Sequence, residues 1–456
     1  MKNLIPQNIK NIYHLAQAVV ANIINNFPSR KIKIIGVTGT NGKTTTVQII
    51  TKILEESGAR VAMASTINFK LGEKEWVNAT KFTTLSSFQV QKFIAKAVKA
   101  NCEYLVLETS SHSLDQKRVW GVRYDTVVIT NVTREHLDYH KTIEEYRQAK
   151  LKLFKNVKNA VVNLDMEKPE TFFHFNNEKK LVYSSKYNVE SIPYKELKNK
   201  YNNLEIINAE NIKLEIDTSK YFIHNTSYIL HIPGLFNVEN ALAATCVGLA
   251  YGISEEIIKT ALEKIQGVPG RMEKVLNDRG IEIIIDYAVT PDSLEKVYEL
   301  IKNIRDNSLK IGINSRIISV LGACGERDRG KRPMMGEIVS RYADYVIVTN
   351  EDPYDEDPAQ IINEVESGIK ITNHKSQITN NFQNPKSKIQ KEFIKDGNLF
   401  RIMDRREAIK KALQLAKPGD IFVITGKGAE EVMAIDKQRI PWNEKKVILE
   451  ELEKLN

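Results

Sequence analysis

The sequence predicts an α/β protein: a central domain with a parallel sheet flanked by helices, then a smaller, Rossmann-like α/β domain. Three observations predict it. From residue 31 onward, short β-branched runs alternate with helical ones, the pattern of parallel strands covered by helices. A glycine loop, "GVTGTNGKTTT" (36–46), stands between the first strand and the first helix of that series. After "GVPGR" (267–271) a second alternating series begins, and such a Gly-Pro-Gly stretch suits a hinge between domains. The expected division is 1–30, an amphipathic helical segment; 31–267, the central domain; and 268–456, the C-terminal domain.

The elements follow in order. In "NIYHLAQAVVANIINNF", Ile12, Ala16, Val19, Val20, Ile23, Ile24 and Phe27 recur at helical spacing. Asn22, Asn25 and Asn26 break the apolar run, so it reads neither as a signal peptide nor as a membrane span. The ordinary expectation is that this stripe docks onto the protein; the alternative is peripheral contact with a membrane surface. "KIKIIGV" (31–37) is a strand and "TTTVQIITKILEESG" (44–58) a helix closed by Gly58. Further strands are "YLVLE" (104–108), "TVVIT" (126–130) and "AVVNL" (160–164). Residues 165–232 are weakly patterned and read as shorter strands and excursions, before the small-residue helix "NVENALAATCVGLAYGI" (237–253). The second series reads "IEIIIDYA", "RIISVLGA", "DYVIVTN" and "DIFVITG", with 370–396 a polar, solvated insertion.

Composition narrows the function classes. A chain of 456 residues, 42% apolar and 27% charged, is an ordinary globular protein of two or three domains. The net charge of +9 is spread along the chain rather than gathered in one patch, so an anionic small substrate is expected and nucleic acid is not. Cys102, Cys246 and Cys324 are far apart and form no CxxC pair, so neither a disulfide framework nor a zinc site is read, and a reducing cytoplasm is the expected location.

The glycine loop is where chemistry enters. A loop that leaves a strand and opens a helix presents backbone N–H groups and a positive dipole end to an anion. Lys43 can reach terminal phosphates and the Thr44 or Thr45 hydroxyl can ligate Mg²⁺. ATP is therefore the expected nucleotide, with Gly39, Thr40, Asn41, Gly42, Lys43, Thr44 and Thr45 around it. The common phosphate loop spells G-x-x-x-x-G-K-[ST]; here Val37 stands where its first glycine belongs.

The G-x-x-G-x-x-G-K-T spacing resembles the loop of the Mur ligases, ATP-dependent amide-forming enzymes of peptidoglycan precursor synthesis. Further stretches match in order: "ETSSHSLDQKRV" (108–119), "TNVTREHLDYH" (130–140), "EEYRQAKLKLF" (144–154), "GLFNVENALAA" (234–244), "GRMEKV" (270–275), "DYAVTPDSLE" (286–295), "GERDRGKRPMM" (325–335) and "TGKGAEE" (425–431). Together they look most like the family member that adds the third amino acid to UDP-N-acetylmuramoyl-dipeptide. The resemblance implies an acyl phosphate made from the substrate carboxylate and the γ-phosphoryl of ATP, which an incoming amine attacks. It implies ATP and Mg²⁺ as cofactors, a UDP-muramoyl-dipeptide and an amino acid as partners, a monomer, and a role in cell-wall biogenesis.

The resemblance also assigns residues. Glu108 and His136 match magnesium ligands, and Lys150 matches the lysine that the family carbamylates into an anionic ligand. With Lys43 these are the expected catalytic residues; Thr44, Glu108, His136 and Lys150 are the expected metal set. Arg271 and Asp286 match residues that close over ATP, with Lys331 and Arg332 as basic neighbours of that cleft. Thr83, Thr84, Ser110, Gln116 and Arg118 match donor-substrate positions. Arg327, Asp352, Gly426 and Glu430 match positions around the amino acid. His136 and His140 have i,i+4 spacing, but no third ligand nearby supports zinc.

Departures from the pattern are informative. Val289, Ala429 and Leu85 replace a histidine in "DYAHxP", a histidine in "GKGHE" and a proline after the two threonines. Only about thirty residues precede the phosphate loop, where the family carries a uridine-binding domain. "EDPY" (351–354) replaces the D-N-P-R of enzymes that add diaminopimelate. Asp352 would repel a distal carboxylate and suit a distal ammonium, so lysine or ornithine is the expected acceptor. Two other readings stay open: an amide ligase of the pseudomurein, folylpolyglutamate or cyanophycin type, and a nucleotide-binding scaffold that has lost its active site.

Overall fold

The computed structural model describes residues 6–80, 83–186, 196–371 and 392–455, except the single positions 198, 202, 216, 311 and 437. The chain divides into two compact units, Met1–Val268 and Pro269–Asn456.

Unit 1 begins with α1 (Gln7–Ile24) and continues β1 (Lys33–Thr38), α2 (Lys43–Glu56), β2 (Val61–Ala64), β3 (Asn68–Leu71) and β4 (Lys74–Val77). There follow α3 (Ser87–Lys99), β5 (Tyr104–Glu108), α4 (Ser111–Asp115), β6 (Thr126–Ile129), α5 (Leu137–His140), α6 (Ile143–Leu151) and β7 (Asn159–Asn163). The unit ends with β8 (Lys179–Ser184), β9 (Leu204–Asn208), β10 (Glu210–Leu214), β11 (Ser219–Ile223), β12 (Thr226–Leu230), α7 (Leu235–Ala250) and α8 (Glu255–Glu263). Its main sheet has the order β4-β3-β2-β5-β1-β6-β7-β8-β9. Pairing is parallel from β2 to β9, and β3 and β4 add an antiparallel edge.

The central strands read as unbroken apolar runs because both faces of the sheet are covered. One apolar layer joins Val47, Ile50 and Leu54 of α2 to Val238, Leu242 and Cys246 of α7 across Val37 and Val106. The other joins Val90, Phe93 and Ile94 of α3 to Ile34, Leu105 and Val127. The weakly patterned stretch 165–232 holds β8 and β9 of the main sheet and a separate antiparallel sheet, β10-β11-β12. That small sheet packs the Tyr221 and Tyr228 rings in a stack with centroids 5.5 Å apart.

The N-terminal stripe corrects an expectation. α1 does dock, through Ala18, Ala21 and Asn22, while Ile12, Ala16, Val20, Ile23 and Ile24 face solvent. The physical reason is a set of polar anchors: Asn22 Nδ2 donates to the Trp120 carbonyl (2.9 Å), and Asn11 Nδ2 reaches Asp115 Oδ2 (3.4 Å). Gly121 lies so close to Asn22 that an added Cβ would meet its side chain at 2.5 Å.

Unit 2 contains β13 (Glu273–Val275), β14 (Glu282–Asp286), α9 (Pro291–Lys310), β15 (Ile317–Leu321), α10 (Lys331–Tyr342), β16 (Tyr345–Thr349), α11 (Pro358–Glu366) and β17 (Leu399–Ile402). It closes with α12 (Arg405–Leu415), β18 (Ile421–Thr425), the hairpin β19 (Val432–Ile435) and β20 (Gln438–Pro441), and α13 (Glu444–Glu453). The sheet order is β13-β14-β18-β15-β16-β17, parallel except for β13. Most of the polar insertion expected over 370–396 lies outside the described residues, which resume at residue 392.

Candidate active site

In unit 1 the C-terminal ends of β1, β5 and β6 converge on the N-terminus of α2, as parallel α/β sheets commonly arrange a ligand site. Val37 is fully buried inside β1, paired with Glu108 and Val128 on either side. Where the ordinary phosphate loop has begun to turn, this chain is still a strand. The turn is made later, by Gly39 (φ 151°) and Gly42 (φ 83°). A Cβ would stand 1.8 Å from Thr130 Oγ1 at the first position and 2.3 Å from Asn240 Oδ1 at the second. Conformation at Gly42 and close approach at both positions therefore require glycine.

The segment after β6 clamps this loop. Thr40 N donates to Asn131 O (3.0 Å), Asn41 N to Asn131 Oδ1 (2.9 Å), and Thr130 Oγ1 to Asn41 O (2.6 Å). Thr133 N donates to Thr40 Oγ1 (3.0 Å), and Lys43 Nζ folds back to donate to Thr40 O (2.8 Å). Thr45 is buried on the first turn of α2 beside Thr44.

Glu108 ends β5 with its carboxylate buried. Thr44 Oγ1 donates to Oε2 (3.0 Å), Thr66 N to Oε2 (2.8 Å) and Thr66 Oγ1 to Oε1 (2.9 Å). A buried carboxylate beside the hydroxyl of a phosphate loop is a hard oxygen donor set that fits a divalent cation. Lys150, on α6, is completely buried; its Nζ donates to Gly39 O (2.8 Å) and lies 4.2 Å from the centre of the Tyr146 ring. Burial, then the nearby Lys43 ammonium, push its pKa well below the ordinary lysine value.

His136 is held in the left-handed region (φ 57°), with its ring edge-on to His112 (4.6 Å) and 6.1 Å from Tyr146. His140 is engaged elsewhere: its Nε2 meets Ser111 Oγ at 3.0 Å, and burial lowers its pKa to about 4, keeping it neutral. Among the described residues, the two histidines share no third ligand.

The donor-substrate candidates gather just past Glu108. Thr84 Oγ1 accepts from Ser110 N (2.9 Å) and lies 3.1 Å from Glu108 O, and Thr83 Oγ1 lies 3.2 Å from Thr66 Oγ1. Ser110 caps α4, and Gln116 hydrogen-bonds Tyr139. Arg118 Nη1 donates to Thr84 O (2.8 Å), and among the described residues no carboxylate pairs with it. Burial draws its pKa down to about 10, the state of a guanidinium suited to receive an anionic group.

Unit 2 collects a second group at the C-terminal ends of its parallel strands. Asp286 is buried, accepts from Met272 N (2.8 Å), and is raised in pKa by burial against the opposing pull of Arg271. Arg271 itself stacks 4.5 Å over the Tyr287 ring. Tyr287 OH donates to Glu430 Oε1 (3.2 Å), and Arg327 adjoins Cys324, Tyr354 and Tyr287. Lys427, not singled out from the sequence, organises the group: its Nζ donates to Asp352 Oδ1 (3.1 Å) and Oδ2 (3.0 Å), Glu430 Oε2 (2.5 Å) and Val432 O (2.8 Å). Glu351, equally unforeseen, is buried with Oε2 unpaired and 2.8 Å from where a Cβ on Gly426 would stand. Burial, then repulsion from Asp352, lift its pKa to about 7.

Two of these side chains have surroundings that the sequence did not foreshadow. Asp352 is met by Lys427 and by the Ala434 N–H (2.6 Å). Arg332 is not a cleft cation: it is buried against Glu356 (3.0 Å), Glu364 (2.6 Å) and the Cys324 carbonyl (3.0 Å). Its neighbour Lys331 is buried as well.

Comparison with known proteins adds independent findings. The Mur ligase middle domain matches residues 37–248, and the Mur ligase, glutamate ligase domain matches residues 270–428. A UDP-N-acetylmuramoyl-L-alanyl-D-glutamate--2,6-diaminopimelate ligase of Clostridium tetani is 37% identical, over 96% of this chain and 81% of its own length. A UDP-N-acetylmuramyl-tripeptide synthetase of Roseiflexus is 33% identical, over 94% of this chain and 80% of its own. Among solved structures, a diaminopimelate ligase of the same description is similar at a TM-score of 0.56 and 30% identity, covering 93% of this chain and 79% of its own. A folylpolyglutamate synthase of Mycobacterium tuberculosis complexed with ADP shares the fold at a TM-score of 0.62 and 15% identity, over 90% of this chain and 91% of its own.

Proposed function

This chain belongs to the Mur ligase family, an ATP-dependent amide ligase, and from that premise we propose that it joins the third amino acid to UDP-N-acetylmuramoyl-L-Ala-D-Glu. The observation that carries the reading is the adjacency, in unit 1, of two groups. Thr44, Glu108 and Lys150 surround the phosphate loop, and Thr84, Ser110 and Arg118 begin where Glu108 ends.

ATP with Mg²⁺ supplies an electrophilic γ-phosphoryl and charge neutralisation; such transfers are catalysed chiefly by positioning and electrostatics. The donor carboxylate bonds to the γ-phosphorus as the bond to ADP breaks. The acceptor amine then bonds to the acyl carbon, loses a proton, and phosphate departs. In that sequence Lys43 and the loop N–H groups would hold phosphates, and Thr44 and Glu108 would offer the cation oxygens. Arg118 and Ser110 orient the anionic muramoyl-peptide. Arg271 and Asp286 are assigned to the nucleotide on the resemblance.

Lys150 fits carbamylation. Its surroundings favour the neutral amine, the form that adds carbon dioxide, and the product is an anion beside the loop rather than a cation competing with Mg²⁺. His136 belongs to the same group through Tyr146.

We read the acceptor as diaminopimelate, the amino acid in the names of most of the relatives. Lys427 already pairs with Asp352, which weakens the electrostatic argument against a distal carboxylate, and the distal ammonium has Glu351 as a candidate partner.

The test is phosphate release that requires UDP-N-acetylmuramoyl-L-Ala-D-Glu and an amino acid together. Lys43→Ala is expected to lower it at least about a hundredfold, removing a charge-assisted contact to the transferring phosphoryl. Unchanged turnover in that variant would contradict the reading.

A further inference from the structure

Helix α1 turns its apolar side to solvent. Ile9, Ile12, Tyr13, Val20, Ile23 and Ile24 recur at the spacing of one helix face, and Ile12, Ile23 and Ile24 are 65%, 61% and 70% exposed. The opposite face, with Ala18, Ala21 and Asn22 buried, is the one that meets the body of unit 1. A surface helix of a globular protein ordinarily does the reverse, and a contiguous apolar patch of this kind marks an interaction site.

Charge says what the patch meets. Residues 1–54 contain no Asp or Glu. Beyond the helix, Arg30 stacks 4.6 Å over the Phe27 ring, and Lys31 is exposed beside it. The neighbouring loop is tied on through Asn22 to Trp120 O (2.9 Å) and Ser29 Oγ to Gly121 O (3.1 Å). It adds a Trp120 that is 43% exposed, and exposed Lys117 and Arg123. The acids at its two ends are already engaged, Asp115 by Lys152 (2.7 Å) and Tyr139 (2.8 Å) and Asp125 by Tyr251 (2.8 Å) and Lys158 (4.0 Å).

We propose that α1, with Trp120 and the cations around it, is an in-plane docking element for a bilayer surface that carries anionic lipids. The stripe enters the boundary between headgroups and acyl chains. Tyr13 and Trp120, apolar with a polar tip, suit the headgroup level, and Arg30, Lys31, Lys117 and Arg123 meet lipid phosphates. The helix is not long and apolar enough to cross the bilayer. A second copy of this chain fits less well, because two such patches face to face would bring like cations together without a described carboxylate to pair them. The proposal concerns α1 and its surroundings and stands whatever acceptor the ligase uses.

The full chain is sedimented with vesicles of phosphatidylglycerol and phosphatidylcholine, and with vesicles of phosphatidylcholine alone. Binding is expected to the mixed vesicles, to weaken with added salt, and to be much lower on the neutral ones. The double variant Ile23→Glu, Ile24→Glu is expected to bind at least roughly tenfold more weakly, and Lys31→Glu at least about fivefold more weakly. Both should keep the wild-type circular dichroism and phosphate release in solution. Absence of binding to the mixed vesicles, or equal binding by the double variant, would overturn the proposal. So would a concentration-dependent dimer in equilibrium sedimentation that the double variant abolishes, which would assign the patch to a second copy.

Discussion

Lys150 carries a cost that a purely structural lysine would not: full burial, a carbonyl and an aromatic face for company, and a second ammonium nearby. If that cost serves carbamylation, Lys150→Arg should fail although it preserves positive charge, because a guanidinium does not take up carbon dioxide. A loss of at least about a hundredfold in phosphate release is expected, the scale of removing one preorganised electrostatic group. Intact mass of the wild type, but not of the variant, should show one added carbon dioxide under bicarbonate. Glu351 gives a pH prediction. An acid whose native pKa is raised contributes full stability below its unfolded pKa and loses it as pH rises through the native value. For Glu351 that window runs from 4.5 to about 7. Glu351→Gln should therefore lose less stability than wild type between pH 5 and pH 8, by an amount on the order of 3 kcal/mol, readable from denaturant midpoints. Neither Glu351 nor Lys427 was legible from residue type, since a buried carboxylate and a buried lysine look like surface charges until the fold surrounds them. Lys43, Glu108 and Lys150 stood out because their motifs did.

At the scale of elements, the strands that both faces bury were plain as β-branched runs; "YLVLE" is β5 without a residue's difference. Less legible were β8 and β9, whose Lys179, Lys180 and Glu205 interrupt the apolar text at the margin of the sheet. The face of α1 was misread for a related reason. Periodicity identifies an apolar stripe but not which side the polar anchors will pull inward, and Asn11 and Asn22 decided that. The phosphate loop was legible as a loop, and the structure explains its spacing: β1 continues through Val37, and two later glycines make the turn. Gly42→Ala tests that account. The change imposes a left-handed backbone on alanine, roughly 1–2 kcal/mol, and drives a methyl into Asn240, whose Oδ1 accepts from Thr46 Oγ1 at 3.2 Å. ATP binding should weaken at least about tenfold while far-ultraviolet circular dichroism at low temperature stays the same; undiminished binding would show the loop to be more tolerant than its geometry implies.

At the scale of the molecule, two α/β units divide the chemistry. The first holds the phosphate loop, the candidate cation donors and the candidate grip on the muramoyl-peptide. The second gathers Arg327, Glu351, Asp352, Lys427 and Glu430 at its strand ends. The family was legible because many short stretches recur in order along the whole chain. The surroundings of "EDPY" were not, because Lys427, which meets Asp352, is distant in sequence. The most direct measurement supplies ATP, Mg²⁺ and UDP-N-acetylmuramoyl-L-Ala-D-Glu with diaminopimelate, lysine or ornithine, and identifies the product by mass. The account predicts a UDP-muramoyl-tripeptide, formed fastest with diaminopimelate, with one phosphate released for each product. Efficient addition of lysine or ornithine with none of diaminopimelate would contradict the acceptor assignment, and no tripeptide with any of the three would contradict the function itself.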